Sequence, residues 1–164
     1  KMKIIRNLLD TDLIPDIINL YRSSTNSVTL NGKITDRYVT PNRAMFLLSK
    51  YNQDEFKFIW DNIKDQLPTS KPEIFRILKY RKNNFAHRHI DSCKNDEHIT
   101  NASLIIQLSD PKDYLGGEVI VGDELIELQP GDGVIYYYGE EHEVKKVKQG
   151  VRFVINIRIF NQDT

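Results

Sequence analysis

The chain has 164 residues, enough for one packed core and too few for two. Its 23 Lys plus Arg balance 23 Asp plus Glu, so no basic excess marks it for a phosphate backbone, and nucleic acid is not expected as its partner. No apolar run approaches the roughly 20 residues of a membrane helix, and the single cysteine, Cys93, has no partner for an internal disulfide. The expectation is one domain over residues 1–164, without a membrane span, in a reducing compartment such as the cytoplasm. Lys1, Lys3 and Arg6 lead into no apolar stretch, so no secretory signal is expected either.

The first third, about residues 1–70, reads mostly as helical support. Leu13, Ile14, Ile17, Ile18 and Tyr21 recur at helical spacing behind Asp10 and Thr11 as caps, with Pro15 early enough for a first turn. Val28 to Ile34, with Asn31-Gly32 at its centre, has the pattern of a hairpin. Phe56, Ile59, Trp60, Ile63 and Leu67 form a second apolar stripe, with Asn52 and Glu55 as a capping box and Pro68 as the stop.

From Glu73 onward the pattern changes to short β-branched and aromatic runs: 74–80, 103–108, 118–121, 124–128, 134–138, 143–147 and 151–160. Gly116-Gly117, Gly122-Asp123, Pro130-Gly131 and Gly150 punctuate them. This predicts a mainly β chain with helices (α+β): a double-stranded β-helix, or jelly roll, over about 72–160, with the N-terminal helices packed on one sheet.

His89-Ile90-Asp91 is the first chemically informative triplet. On a strand, residues i and i+2 point to one face about 7 Å apart, so both side chains can converge on one ion. His142, which opens a later strand, is the candidate third ligand. Two histidines and one carboxylate, with the remaining positions open, suit a non-haem Fe(II) oxygenase. The triplet alone also suits a histidine satisfied by a nearby carboxylate. Ten residues beyond His142 stands Arg152, whose planar fork would grip the distal carboxylate of a dicarboxylic co-substrate. Read as an exposed strand residue, it would instead pair with Glu140, Glu141 or Glu143.

The order of these elements resembles the prolyl 4-hydroxylase-like Fe(II)/2-oxoglutarate-dependent dioxygenases. Tyr80, Phe85, His89 and Asp91 keep the spacing Tyr-x4-Phe-x3-His-x-Asp, and Gly116-Gly117-Glu118 resembles that family's Gly-Gly-Glu. Pro130-Gly131-Asp132 resembles its turn before the distal histidine, and His142-Glu143-Val144 with Gly150-x-Arg152 resembles its last two elements. The resemblance implies that His89, Asp91 and His142 bind Fe(II), that Arg152 binds the 2-oxoglutarate C5 carboxylate, and that Tyr80 lines the co-substrate pocket, although a core aromatic is an equal reading of Tyr80. It also implies O2 as oxidant, ascorbate as reductant, and hydroxylation of a carbon, foremost in peptidyl proline, with release of succinate and CO2. A carboxylate at Asp91, rather than Gly or Ala, favours hydroxylation over halogenation.

Two positions depart from the pattern. Asn83 replaces a frequent glycine, and Arg158 stands six residues after Arg152, where an aromatic is common. Arg-x5-Arg instead resembles the AlkB-type nucleic-acid demethylases, which is the alternative; a free amino acid or small metabolite is a further one. Tyr136 and Tyr138 share one strand face, either to stack on a substrate or to pack the barrel. Residues 92–101 have the polar composition of a lid, and His87, His98 and Phe85 are not expected to take part in the chemistry.

Overall fold

Alternating apolar residues on a long central strand organise the molecule into two layers around one interior. The structure is a computed structural model and describes residues 2–23, 37–39, 44–48, 56–67, 70–91 and 102–161. Among them, strands run in chain order β1 (Lys3–Ile5), β2 (Arg37–Val39), β3 (Ala44–Leu48), β4 (Ser70–Tyr80), β5 (Ala86–His89), β6 (Ala102–Gln107), β7 (Tyr114–Gly116), β8 (Val119–Val121), β9 (Glu124–Ile126), β10 (Gly133–Tyr137), β11 (His142–Val144), β12 (Val147–Gly150) and β13 (Arg152–Asn161). Two helices, α1 (Ile14–Ser23) and α2 (Lys57–Ile63), precede β4.

The large sheet has the order β1-β10-β6-β13-β4-β3-β2, facing it is β5-β11-β8-β9, and β12 pairs with β7. Strand β13 is central: Arg152 to Asn161 pair with β4, and Val154 to Ile159 pair with β6. Its side chains alternate as strand geometry requires. Phe153, Ile155, Ile157 and Ile159 belong to the core under the helices, whereas Val154 joins Leu78, Tyr80, Ile105, Val121 and Val144 in a second core between the sheets. These layers form the expected jelly roll with helices on one sheet.

Both sequence-predicted helices are present. Asp10 caps a 3-10 turn, Thr11–Leu13, that runs into α1, and Ile17 and Tyr21 are buried at i, i+4. Tyr21 meets Phe153 edge-on at 5.4 Å, while Phe56, just ahead of α2, stacks on Phe75 at 5.0 Å. Each fully buried aliphatic such as Ile17 or Ile59 contributes about 1.5–3 kcal/mol through its removal from water. The helices therefore brace the sheet that carries β13.

Several expectations change in detail. The run 143–147 divides into β11 and β12, and β1 and β7 lie where no strand was expected. The 28–34 hairpin, the 52–55 capping box, the 92–101 lid, Cys93 and His98 lie outside the described residues. The strand β1 borders β10 because Asp132 holds the chain just after it: the carboxylate accepts from Asn7 N at 2.9 Å and from Gln129 N at 3.0 Å. Leu9 N donates to Gly131 O, and a Cβ on Gly131 would stand 2.6 Å from Leu9 O, so only glycine fits that crossing. Among the described residues, no helix is long and apolar enough to cross a membrane.

Candidate metal and co-substrate site

Three ligand-bearing side chains meet at one end of the sandwich. In the register of β5 against β11, His89 lies directly opposite His142, and Val121 of β8 flanks His142 on its other side. Asp91 does not share a strand with His89, as the spacing suggested, because β5 ends at His89. Its partner β11 begins at His142, so residues 90 and 91 have no ladder to continue. The chain nevertheless brings the carboxylate inward, and ligand atoms of His89, Asp91 and His142 lie within 4.8 Å of one another.

The imidazoles are presented with one nitrogen each. The Nδ1 of His89 lies 2.6 Å from His87 O, and the Nδ1 of His142 lies 3.1 Å from Glu140 O. A carbonyl only accepts, so each Nδ1 carries the proton and each Nε2 points toward Asp91. Both Nε2 atoms lie 3.4 Å from the same Oδ1, and Ser103 Oγ donates to Oδ2 at 2.7 Å. A cation among these three groups satisfies that geometry, as does a proton at Nε2, and the donor set of two imidazoles and one carboxylate fits Fe(II).

Burial alone would raise the Asp91 carboxyl, but His142, His89 and Ser103 hold it well below the usual carboxylate range. It is an anion at neutral pH. Burial, with the nearby Asp91 charge, pushes the Tyr136 phenol well above its ordinary value, so Tyr136 stays neutral beside His142, with ring centres 4.3 Å apart. Arg158 Nη2 stands 4.0 Å from Asp91 Oδ1.

Arg152 is buried, at 1% exposure, and its Nε, Nη1 and Nη2 have no hydrogen-bond partner among the described residues. The exposed reading fails because the three glutamates lie elsewhere: Glu141 pairs with Arg88 at 2.6 Å, Glu143 pairs with Lys145 at 3.3 Å, and Glu140 accepts from Tyr137 N and Met2 N. Arg152 instead lies over the Tyr80 ring, with 5.3 Å from guanidinium carbon to ring centre, and faces Tyr80 in the ladder. An uncompensated buried guanidinium costs several kcal/mol, and its planar fork suits a carboxylate. The residues present therefore fit a dicarboxylic co-substrate.

Sequence reading missed Ser103 and left Tyr136 undecided between substrate and packing. Tyr136 packs at the site, 3% exposed, whereas Tyr138 is exposed past the end of β10. The one signal for Ser103 was a hydroxyl interrupting an apolar strand. His87 is exposed and lies 5.6 Å ring-to-ring from His89, and Phe85 lies under the Lys146 ammonium at 5.4 Å, so neither joins the cluster.

A profile of the 2OG-Fe(II) oxygenase superfamily matches residues 75–159. A PKHD-type hydroxylase of Prochlorococcus marinus is 34% identical over 153 residues, covering 84% of this chain and 69% of the relative. One of a Caulobacter species is 40% identical over 57 residues, where the match covers 32% of this chain and only 25% of the relative. Among solved structures, a Pseudomonas putida prolyl-4-hydroxylase superposes with a TM-score of 0.62 at 14% identity, covering 98% of this chain and 92% of that one. The structure titled OsALKBH1 gives 0.68 at 15% identity, with coverages of 96% and 97%. These two likenesses speak for the fold, and the profile and the Prochlorococcus match speak for descent: the chain belongs to the 2OG-Fe(II) oxygenase superfamily.

Proposed function

We propose that the chain is an Fe(II)- and 2-oxoglutarate-dependent dioxygenase that hydroxylates a carbon of a peptidyl residue, foremost proline, and releases succinate and CO2. The observation that carries this reading is the buried, partnerless Arg152 fork in the same barrel as the His89, Asp91 and His142 cluster. His89, Asp91 and His142 hold the metal, and their fixed Nδ1 protons leave Nε2 to bind it. Arg152 anchors the distal carboxylate of the co-substrate, and Tyr80 supports the guanidinium from below. When bound, iron and 2-oxoglutarate supply the oxidising chemistry from O2. The apolar walls formed by Leu78, Ile105, Val144 and Val154 exclude water from that chemistry. Ascorbate as reductant and a reducing, cytoplasmic setting belong to the same reading.

Peptide as substrate draws on the prolyl hydroxylases among the structural neighbours, one of which was solved with a hypoxia inducible factor peptide fragment. A second reading, oxidative demethylation of nucleic acid, is favoured by Arg158 beside Asp91 and by the ALKBH1 neighbour, and is opposed by the balanced charge. A free amino acid or small metabolite is the third substrate class. The test is succinate release measured with proline-containing peptides, free amino acids and methylated oligonucleotides. Turnover with the first group supports the proposal, and turnover confined to another group replaces the substrate. Asp91→Ala and His142→Ala should abolish turnover and weaken Fe(II) binding with the fold intact; wild-type activity in either removes that residue from the set.

A further inference from the structure

The space beyond Arg152 is open. A cavity of about 380 Å3 has Arg152 in its wall, together with Gln107, Tyr114, Gly117, Leu125 and Leu128 among others, and none of His89, Asp91 or His142 lines it. Arg152 opens β13, whereas Arg158, which reaches Asp91, lies six residues along the same strand, about 20 Å at strand rise. The cavity thus adjoins the acid clamp at the end of the barrel away from the metal ligands.

The length of diacid that a cationic clamp accepts depends on how firmly the cation is held and on what stands behind it. Arg152 is loosely held: none of its three side-chain nitrogens has a hydrogen-bond partner among the described residues, and its contact with Tyr80 is a face contact at 5.3 Å, which permits sliding. Gln107, by contrast, is fixed, its Nε2 donating at 2.9 Å to Ser109 O and at 2.9 Å to Tyr114 OH. Behind the clamp there is room. The cavity is many times the roughly 30 Å3 that one water occupies in the liquid, and lengthening a diacid by one carbon displaces its end by about one C–C bond, ~1.5 Å. Gly117 keeps the path clear, since a Cβ there would stand 3.3 Å from Arg152 Cδ.

We infer that the clamp accepts 2-oxoadipate, a 2-oxo diacid one carbon longer than 2-oxoglutarate, by withdrawal of the Arg152 guanidinium into this cavity. The inference rests on the proposed role of Arg152 as the co-substrate clamp. It makes the residues around the cavity, and not the metal ligands, the determinants of co-substrate length.

The test is calorimetric titration of the Mn(II)-loaded protein with 2-oxoglutarate and with 2-oxoadipate, which reads binding without turnover. The two dissociation constants should agree within about tenfold, and a larger penalty for 2-oxoadipate overturns the inference. Leu125→Trp and Leu128→Phe fill the cavity from its exposed rim and its buried wall. Each should weaken 2-oxoadipate by about tenfold or more and leave 2-oxoglutarate within about twofold. Retained 2-oxoadipate binding in both, with melting transitions intact, overturns the role of the cavity. If 2-oxoglutarate itself fails to bind the wild type, the proposed function falls and takes this inference with it, an outcome distinct from selective loss of the longer acid.

Discussion

Arg152 and Tyr80 face each other across the β13–β4 ladder, the guanidinium carbon 5.3 Å from the ring centre, so a buried cation rests on an aromatic face instead of an acid. A cation–π contact offsets only part of the cost of desolvating that charge. Replacing Arg152 with Met should therefore raise the stability of the ligand-free protein by about 1–4 kcal/mol. The same variant should show no thermal stabilisation by 2-oxoglutarate, whereas the wild type should gain about 2.7 kcal/mol at a hundredfold excess over Kd. Melting curves with and without the acid decide this; stabilisation retained in the Met variant would place the acid elsewhere.

Ser103 makes a separate contribution. Its hydroxyl occupies Oδ2 of Asp91 while both imidazoles approach Oδ1, so it sets which carboxylate oxygen is presented to a metal. Ser103→Ala should lower metal affinity by about 10–100-fold with little change in folding. Competition against a chelator reads this directly, and unchanged affinity would mean that the imidazoles alone orient the carboxylate.

The site was legible where strand spacing carries it. His89 and His142 are cross-strand partners, and Arg152, Val154, Asn156 and Arg158 share the inward face of β13 at period two. What stayed hidden depends on crossings between distant segments. Ser103 and Tyr136 are neighbours in the β10–β6 register, yet nothing local in either strand says that Asp91 ends beside them. Three-residue strands such as β1 and β7 are too short for an alternation to register, and they exist because a longer neighbour offers an edge. The inward path of Asp91 likewise follows from where β11 begins, a tertiary fact.

Asn83, the departure at a position often glycine, has φ of +72°, and its N–H donates to Val147 O at 2.7 Å. Asparagine tolerates the left-handed region better than other side chains, which explains why the turn survives without glycine. Asn83→Gly should change stability by about 0.5 kcal/mol or less, whereas Asn83→Val should cost about 1–2 kcal/mol. Urea denaturation of the two variants separates a conformational requirement from a side-chain one; equal losses would show that the amide group itself is needed.

Asp132 links the N-terminal segment to the turn that leads into β10 and so toward His142. Its carboxylate is buried and accepts from Asn7 N, Gln129 N and Arg6 Nη1. Because the Arg6 side chain is 55% exposed, the ion pair itself contributes only about 0–1 kcal/mol, and the backbone amides account for the rest. Burial alone would raise this carboxyl, but the amides of Asn7 and Gln129 and then Arg6 hold it below its usual value. A carboxyl lowered on folding adds stability that is fully present above its unfolded value of about 3.9 and is lost as pH falls through the folded value. Asp132→Asn should therefore cost about 1–3 kcal/mol at pH 7, and the gap to wild type should narrow as pH falls below about 4. Urea unfolding at a series of pH values tests this. Parallel stability curves for the two proteins would show that the charge of Asp132 does not hold β1 in place, and that shape and amide pairing alone do.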